Sequence, residues 1–342
     1  MKNLNHFKGG ARAVRGVSLI ELMIALLLGL LVVGAAIGIF VSNKQVFRSA
    51  DNLSFVQENG RVAFELLARE LRQTASSPCS AKVPIVNVLR NTAAWGTDWG
   101  DGIRGYDGQA AQALPTVTTG VAARNRIAGT DAIELRSGSS GDVTVTDHKP
   151  NSAQFKVNTT SHGLVDGDIV MVCDFIQAAI FQVTNASSSN VTIVHNAGVG
   201  VASPGNCTKS LKYPLQLPCD VNPAAYYTYG PNSVIAKLKA SAWYVGVSTS
   251  DPTRRSLYQV LLTRSGATPA STVQEVAEGV QDMQLQYLSN GGTDYQDANA
   301  VTNWSQVTAV RVVLTMQSNE QIEGAPVVRT IAHTVTIRNR NS

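Results

Sequence analysis

The sequence predicts an α+β protein in which one long N-terminal helix packs on a mainly antiparallel β-sheet domain. Residues 17–73 carry apolar side chains at helical spacing and contain no proline, since the first proline is Pro78. From Thr74 onward Gly, Ser, Thr and Asn become common, and short alternating runs replace the long periodic one. Because the helix and the strands are segregated along the chain, the pattern favours α+β over an alternating α/β fold.

The first half of the predicted helix, residues 17–41, is long and apolar enough to cross a membrane. Between Gly16 and Lys44 the only charged side chain is Glu21. A helix rises 1.5 Å per residue, and the ~30 Å core of a bilayer requires about 20 apolar residues. The 25 residues of this run are therefore predicted to form a membrane-spanning segment.

The second half, residues 42–75, is predicted to be amphipathic and to end near Gln73. Small and apolar side chains recur at threes and fours along one face, at Val46, Ala50, Leu53, Val56, Gly60, Ala63, Leu67 and Leu71. On the other face, opposite charges at i,i+4 pair Arg61 with Glu65 and Glu65 with Arg69. We expect this half to pack on a globular domain formed by residues 76–342.

Ten segments of the globular domain are predicted strands, because they are rich in β-branched residues and bounded by turn formers. They are residues 131–136, 154–158, 168–173, 179–184, 190–195, 243–247, 257–264, 283–288, 307–316 and 327–337. Residues 163–198 are predicted to form a compact β unit, residues 95–108 an ordered loop, and residues 202–231 a connector. About 270 residues can bury a sizeable core, in one lobe or two.

The segment before the helix is basic. Residues 1–16 contain Lys2, Lys8, Arg12 and Arg15 and no acidic residue. Positive charge before a spanning helix keeps that end in the cytoplasm and sends the remainder across the membrane. Without these four residues the chain's 28 basic residues become 24, equal to its 24 acidic ones. The basic balance therefore belongs to this segment and does not indicate a nucleic-acid site.

A candidate cleavage site lies before the apolar run rather than after it. A signal-peptidase site would need small residues after the run, but residues 38–41, Gly-Ile-Phe-Val, continue into helix-forming sequence. Gly16 directly precedes the run. Cutting after Gly16 would keep the helix and expose a new amino group on Val17, about one turn from Glu21.

The stretch GVSLIELMIALLLG, residues 16–29, resembles the class III leader of type IV pilins and type II secretion pseudopilins. In that family a basic leader is cleaved after Gly, and Glu is the fifth residue of the mature chain. The resemblance implies that prepilin peptidase removes residues 1–16 between Gly16 and Val17 and that the new terminus is N-methylated. Val17 departs from the family pattern, in which Phe or Met is usual.

The same resemblance makes Glu21 an assembly residue. A carboxylate and a free amine are both costly in lipid, where opposite charges attract strongly. Glu21 of one subunit would therefore pair with the Val17 amine of a neighbour. The alternative is a monomeric anchor in which Glu21 reaches the lipid headgroups. Gly34 and Gly38 form a GxxxG pair that permits close helix packing or local melting.

Further segments resemble the PilW-type minor pilins. They are QENGRVAFELLARELRQ (57–73), GTDAIELRS (129–137), EGVQDMQLQYLSNGG (278–292) and WSQVTAVRVVLTMQS (304–318). The resemblance implies a structural protein that is held in the inner membrane with its domain in the periplasm and then enters the pilus, or fimbrium. Its implied partners are other minor pilins, the major pilin, prepilin peptidase and a tip adhesin, in a tip complex that primes pilus assembly.

Four cysteines, an even number in a domain predicted outside the cytoplasm, are expected to form two disulfides. Cys207 and Cys219 are favoured as one pair, because the segment between them is short and rich in proline. This leaves Cys79, just after the helix, to pair with Cys173 in the β unit. The alternative leaves one of these pairs free and buried.

The sequence gives no pattern for catalysis, a cofactor or a metal ion. It contains no HExxH, no paired Cys/His spacing and no GxxxxGK[ST]. Asp98, Asp101 and Asp107 could bind calcium, but their spacing is not that of an EF-hand, which favours a solvated loop. We therefore expect a protein without enzymatic activity.

Two other functions stay open from the sequence. Pseudopilins that cap a type II secretion pseudopilus share the N-terminal motif. A membrane-anchored periplasmic enzyme or binding module would require a convergent polar site, which the sequence does not reveal.

Overall fold

The computed structural model describes residues 16–75, 83–90, 92, 95–139, 142–198, 203–215, 217–219, 221, 223–322 and 324–340. Within these residues the chain forms one α-helix, α1 (Leu19–Gln73), followed by strands. The strands are β1 (Ile85–Asn87), β2 (Ile103–Tyr106), β3 (Ala132–Gly138), β4 (Val143–Lys149), β5 (Gln154–Val157), β6 (Ile169–Cys173), β7 (Ala178–Gln182), β8 (Asn185–Ala186), β9 (Thr192–Val194), β10 (Val234–Val247), β11 (Arg255–Ser265), β12 (Thr268–Glu278), β13 (Val280–Ser289), β14 (Gln296–Asp297), β15 (Val307–Ile322) and β16 (Ala325–Thr336). The architecture is α+β, as the sequence predicts.

Helix α1 is fixed at both ends by side chains of its own sequence. Ser18 and Glu21 form a capping box, in which the Glu21 amide donates to Ser18 Oγ and the Ser18 amide donates to Glu21 Oε2. At the other end Thr74 Oγ1 donates to the carbonyl oxygen of Glu70 at 3.0 Å. The helix therefore begins two residues after the expected Val17 and ends at Gln73, the expected residue.

The C-terminal half of α1 packs on the sheet domain through one stripe. Its buried residues are Asn52, Val56, Gly60, Ala63, Leu67, Ala68 and Leu71, and its neighbours include β15 and β16. Gly60 permits the closest approach, because a Cβ there would lie 2.3 Å from the Ile331 Cδ1 atom of β16. Of the two predicted charge pairs on the outer face, Arg61 and Glu65 lie 3.6 Å apart. Glu65 and Arg69 form no such pair in the structure as described.

The strands form two sheets. One sheet has twelve strands and the other four, in the order β14-β13-β15-β16. Strand β10 organises the larger sheet, because its first residues pair with β6 and β4 while its later residues pair with β3 and β11. All assigned strand pairs are antiparallel except β1 with β7.

Two main cores result from this arrangement. The first lies between α1, the four-stranded sheet and the β3–β10–β11 part of the larger sheet, and includes Leu67, Trp243 and Leu314. The second lies within the β4–β7 region and is rich in aromatic rings, with Phe155 and Phe181 fully buried. The helix thus contributes to the first core and is absent from the second among the residues described.

The predicted strands occur in the predicted order, but some are longer than predicted and several further strands were missed. Each predicted segment overlaps a strand, yet β10 runs from Val234 rather than from residue 243. The segment 95–108, predicted as a loop, includes the short strand β2. Strands β1, β4, β8, β12 and β14 were not predicted, and β12 forms a long hairpin with β11.

Candidate functional site

The predicted processing site lies at the exposed start of α1. Gly16 and Val17 are both exposed, and a Cβ on Gly16 would meet no atom within 4 Å. The predicted leader, residues 1–16, lies outside the described residues except for Gly16. In the single chain the Glu21 carboxylate is already held at the helix start by the Ser18 amide, at 3.2 Å. This capping role was not predicted, although the spacing Ser-x-x-Glu indicates it.

The apolar half of α1 is uncovered by the rest of the chain. The helix is long and apolar enough to cross a membrane, and none of its most apolar 18-residue window is buried. Cβ atoms added at Gly34 or Gly38 would meet nothing within 4 Å. A uniformly apolar helix is stable only when lipid or another protein covers it, and its length and position indicate a membrane anchor.

One predicted disulfide is present and the other is partly described. Cys207 and Cys219 are joined, closing the proline-rich segment between them. Cys173 is also disulfide-bonded. Its predicted partner, Cys79, lies outside the described residues.

The aspartates of the segment 95–108 serve their own turns rather than a common site. Asp98 Oδ1 accepts from the Gly100 amide, and Asp107 Oδ1 accepts from the amides of Gln109 and Ala110. Across the part of the chain that the structure describes, no three His, Cys, Asp or Glu residues are grouped as metal ligands would be. The calcium alternative therefore gains no support from this geometry.

Glu70 attaches α1 to the larger sheet. Its carboxylate accepts from Ser241 Oγ at 2.5 Å, from Trp243 Nε1 at 2.7 Å and from Gln259 Nε2 at 2.6 Å. Three hydrogen bonds to a charged acceptor from two strands fix the register of the helix along the sheet. This role could not be predicted from the sequence, because Glu in an amphipathic helix ordinarily faces water.

Asp131 connects the two sheets at the start of β3. Its Oδ1 atom accepts from the Gly108 amide at 2.8 Å, and its Oδ2 atom accepts from the Leu285 amide of β13 at 2.7 Å. Its own amide donates to the carbonyl oxygen of Met283 at 2.8 Å. Burial raises the pKa of Asp131 to about 6, while the two amide hydrogen bonds act in the opposite direction. Gly108 is required here, since a Cβ would lie 2.2 Å from the Thr130 carbonyl oxygen.

The segments that resemble PilW-type proteins converge in the first core. Leu67 of α1, Leu135 of β3, Leu285 of β13 and Leu314 of β15 all belong to it. These segments lie up to about 250 residues apart in the sequence, as Leu67 and Leu314 show. Their patterns therefore encode one structure, the docking of the long helix on antiparallel strands.

An uncovered apolar helix that continues into an amphipathic half docked on an antiparallel sheet indicates an α+β protein with a single-pass membrane anchor. Residues 242–339, from within β10 to the 3-10 helix Arg338–Arg340, match the family model PilW, described as type IV pilus-assembly protein W. The match confirms the resemblance that the sequence predicts and supports a PilW-type pilus protein with a role in type IV pilus assembly. A search of curated proteins found no match.

Proposed function

We propose that the protein is a minor pilin of the type IV pilus that primes assembly and occupies a tip complex. The observation that carries this proposal is the combination, in one chain, of an uncovered apolar helix and a sheet domain whose residues 242–339 match PilW. Minor pilins and the major pilin are its partners, and its role is structural. The PilW match favours the pilus over a type II secretion pseudopilus.

The proposed route begins in the inner membrane. The basic residues 1–16 stay in the cytoplasm, and the sheet domain is in the periplasm. Prepilin peptidase cuts between Gly16 and Val17, which leaves the helix as the N-terminus of the mature chain. A domain of about 270 residues is bulky beside a single helix, and such a subunit fits the end of a filament better than its repeating shaft.

Entry into the pilus then depends on helix packing. In the lipid the Glu21 carboxylate of one subunit and the Val17 amine of a neighbour each cancel the cost of burying the other's charge. The capping box supports this step, because it already holds the carboxylate at the start of the helix. Gly34 and Gly38 allow the neighbouring helix to approach closely.

The N-terminus of the protein purified from membranes is expected to be Val17. Intact mass and N-terminal sequencing would detect this start, with or without one added methyl group, and Gly16→Leu should leave the leader attached. A start at Met1 in the wild type would contradict processing by prepilin peptidase. A start after Val41 would contradict the anchor itself.

Glu21→Ala is expected to leave membrane insertion intact and to reduce the amount of the subunit in sheared pili by about tenfold or more. The physical reason is that removing one partner of a buried ion pair leaves the other charge unpaired. Immunoblots of the membrane and pilus fractions measure the two quantities separately.

Two controls separate pairing from other effects of the substitution. Ser18→Ala removes the hydroxyl of the capping box and keeps the carboxylate, so it should retain most of the wild-type amount in pili. Glu58→Ala removes an exposed carboxylate from the amphipathic half. If Glu21→Ala entered pili as well as these controls, the charge-pairing mechanism would be wrong.

A further inference from the structure

The outer face of the last turns of α1 carries an apolar stripe that continues into arginines. Val62 and Leu66 are 37% and 36% exposed, and Arg69 and Arg72 are exposed as well. Their spacing of four, three and three residues places them along one side of the helix, opposite the stripe that packs on the sheet. The part of the chain that the structure describes leaves this face open.

A third arginine converts the end of this face into a groove. Arg338, from the 3-10 helix after β16, lies across a cavity of about 510 Å³ from the arginines of α1. The lining residues are Phe64, Glu65, Ala68, Arg69, Arg72, Gln73 and Arg338. We call this cavity, together with the adjoining Val62 and Leu66, the arginine groove.

The three arginines of the groove are unpaired within the part of the chain that the structure describes. Among the described residues, no hydrogen bond or ion pair is made by the guanidinium groups of Arg69, Arg72 and Arg338. The one carboxylate on the lining, Glu65, is 3.6 Å from Arg61 instead. A helix C-terminus favours a nearby cation, but Arg338 comes from a different element, and Arg69 and Arg72 repel each other at i,i+3. The exposed cluster is therefore available to an acidic partner from outside the described residues.

Lipid headgroups are too far away to be that partner. Arg69 follows Val41, the end of the apolar run, by 28 residues, which corresponds to about 40 Å of helix. At physiological ionic strength charges are screened over ~8 Å, so the groove does not sense the membrane surface.

The composition of the groove favours a protein helix over other acidic partners. Proteins bind nucleic acids mainly by contacting the phosphates with broad basic surfaces. Such a contact would not explain why the apolar side chains of Val62 and Leu66 are exposed beside the arginines. A second copy meeting this chain through the same face would place arginines against arginines. A ridge of side chains at threes and fours, in contrast, fits the surface of another helix.

We propose that the arginine groove binds an acidic amphipathic helix of a different pilus subunit. Carboxylates of that helix accept from Arg69, Arg72 and Arg338, and its apolar side chains cover Val62 and Leu66. The inference rests on the proposed function and goes beyond it, because it assigns a second contact surface far from the membrane. Guanidinium groups suit this contact because they bind carboxylates with two parallel hydrogen bonds.

The test is photo-crosslinking in pilus-producing cells with the full chain carrying p-benzoylphenylalanine at Leu66. We expect an adduct with another pilus subunit, mapped by mass spectrometry to an acidic helical segment. The variant Arg69→Glu/Arg72→Glu should reduce the adduct by about tenfold or more. The matched control, Lys149→Glu/Lys212→Glu, makes the same charge change at two exposed lysines away from α1 and should not. Thermal unfolding of each variant verifies that it folds.

A charge exchange gives the strongest support. Arginines introduced at the mapped acidic positions of the partner should restore the adduct with Arg69→Glu/Arg72→Glu. The inference is overturned by the absence of an adduct, by an adduct with a second copy of this chain, or by one that is insensitive to the charge reversal. It is also overturned if the protein binds a 20-base-pair DNA duplex, and if Arg69→Glu/Arg72→Glu abolishes DNA binding but leaves the crosslink to the other subunit unchanged.

The start of the mature chain and its amount in pili, measured on the same cells, separate the two proposals. If the wild type starts at Val17 and enters pili while the crosslink results are negative, the arginine groove alone is refuted. If the wild type is not processed at Val17 and is absent from pili, the proposed function fails and the groove's assignment fails with it.

Discussion

Asp131→Asn is expected to lower the free energy of unfolding by about 3 kcal/mol. The two carboxylate oxygens accept from separate buried amides, those of Gly108 and Leu285. An amide side chain keeps one acceptor and turns a donor toward the other N–H, and each buried group left without a partner costs about 1–3 kcal/mol. The loss is concentrated where β3 of the larger sheet meets β13 of the smaller one, so both sheets are affected.

The measurement is chemical and thermal unfolding of the full chain in detergent micelles, followed by near-UV circular dichroism. For a domain of this size we expect the melting temperature to fall by roughly 6–10 °C. Asp142→Asn makes the same chemical change at an exposed position and should shift the melting temperature by less than about 2 °C. A change at Asp131 as small as this control would show that the two amides find other acceptors.

The long helix was predictable almost to the residue because every local property agrees. Apolar spacing, the absence of proline and the Ser-x-x-Glu start all point to one element, and its end follows from the change in composition at Thr74. What the sequence could not supply was the partner of each face. One side of α1 is buried because β15 and β16 pack against it, and the residues of these strands lie about 250 positions later in the sequence.

The strands were less predictable because the sheet overrides local preference. The first half of β10, with its lysines and alanines, has little β-propensity, and β12 contains Pro269 and two glutamates. Both become strands because their backbones pair with neighbours on a long ladder. A propensity argument therefore detects only the last residues of β10 and misses β12 altogether.

The candidate site divides in the same way. Gly16, Val17 and Glu21 were recognisable because the motif is local. Glu70, Asp131 and Arg338 were not singled out, because their importance depends on which backbone or side chain the fold brings within 3 Å or across a groove. Sequence spacing places Glu70 on the helix, but only the sheet supplies its three donors.

Mild acid is expected to destabilise the second core through two buried histidines. His148 and His195 lie with their Nε2 atoms 3.4 Å apart, and the His148 ring stacks on Phe155. Since His148 Nδ1 accepts from the Tyr229 amide, its Nε2 carries the proton and donates to His195. The His195 Nδ1–H then faces no acceptor in the part of the chain that is described. The charge of the neighbouring Asp147 carboxylate favours a protonated His148, but it offsets only part of the effect of burial.

Burial lowers the pKa of both rings in the folded protein. The pKa of His148 falls to about 4, and that of His195 falls to about 3 with a further contribution from its neighbour His148. In the unfolded chain both have a pKa of about 6.5. Below pH 6.5 the histidines bind protons in the unfolded state but not in the folded state. The free energy of unfolding is therefore retained above pH 6.5 and decreases as the pH falls toward 4.

Each histidine is expected to lower the free energy of unfolding by about 2 kcal/mol between pH 7 and pH 5. Asp131, whose folded pKa of about 6 is raised, acts in the opposite direction over this range. The informative quantity is therefore the difference in pH dependence between the wild type and His195→Leu, in which the contribution of Asp131 cancels. Urea unfolding of the full chain in micelles at half-unit pH steps gives this difference.

The variant His195→Leu should show a pH dependence shallower than the wild type by about 2 kcal/mol over this range, whatever its absolute stability. His333→Leu, which removes an exposed histidine of β16, should retain the wild-type slope. If the free energy of unfolding depended on pH equally in the wild type and in His195→Leu, the folded protein would have to bind a proton on His148 or His195 without cost. Because most carboxylates titrate below pH 5, the window from pH 7 to pH 5 keeps their contribution small, and the comparison with the variant removes that of Asp131.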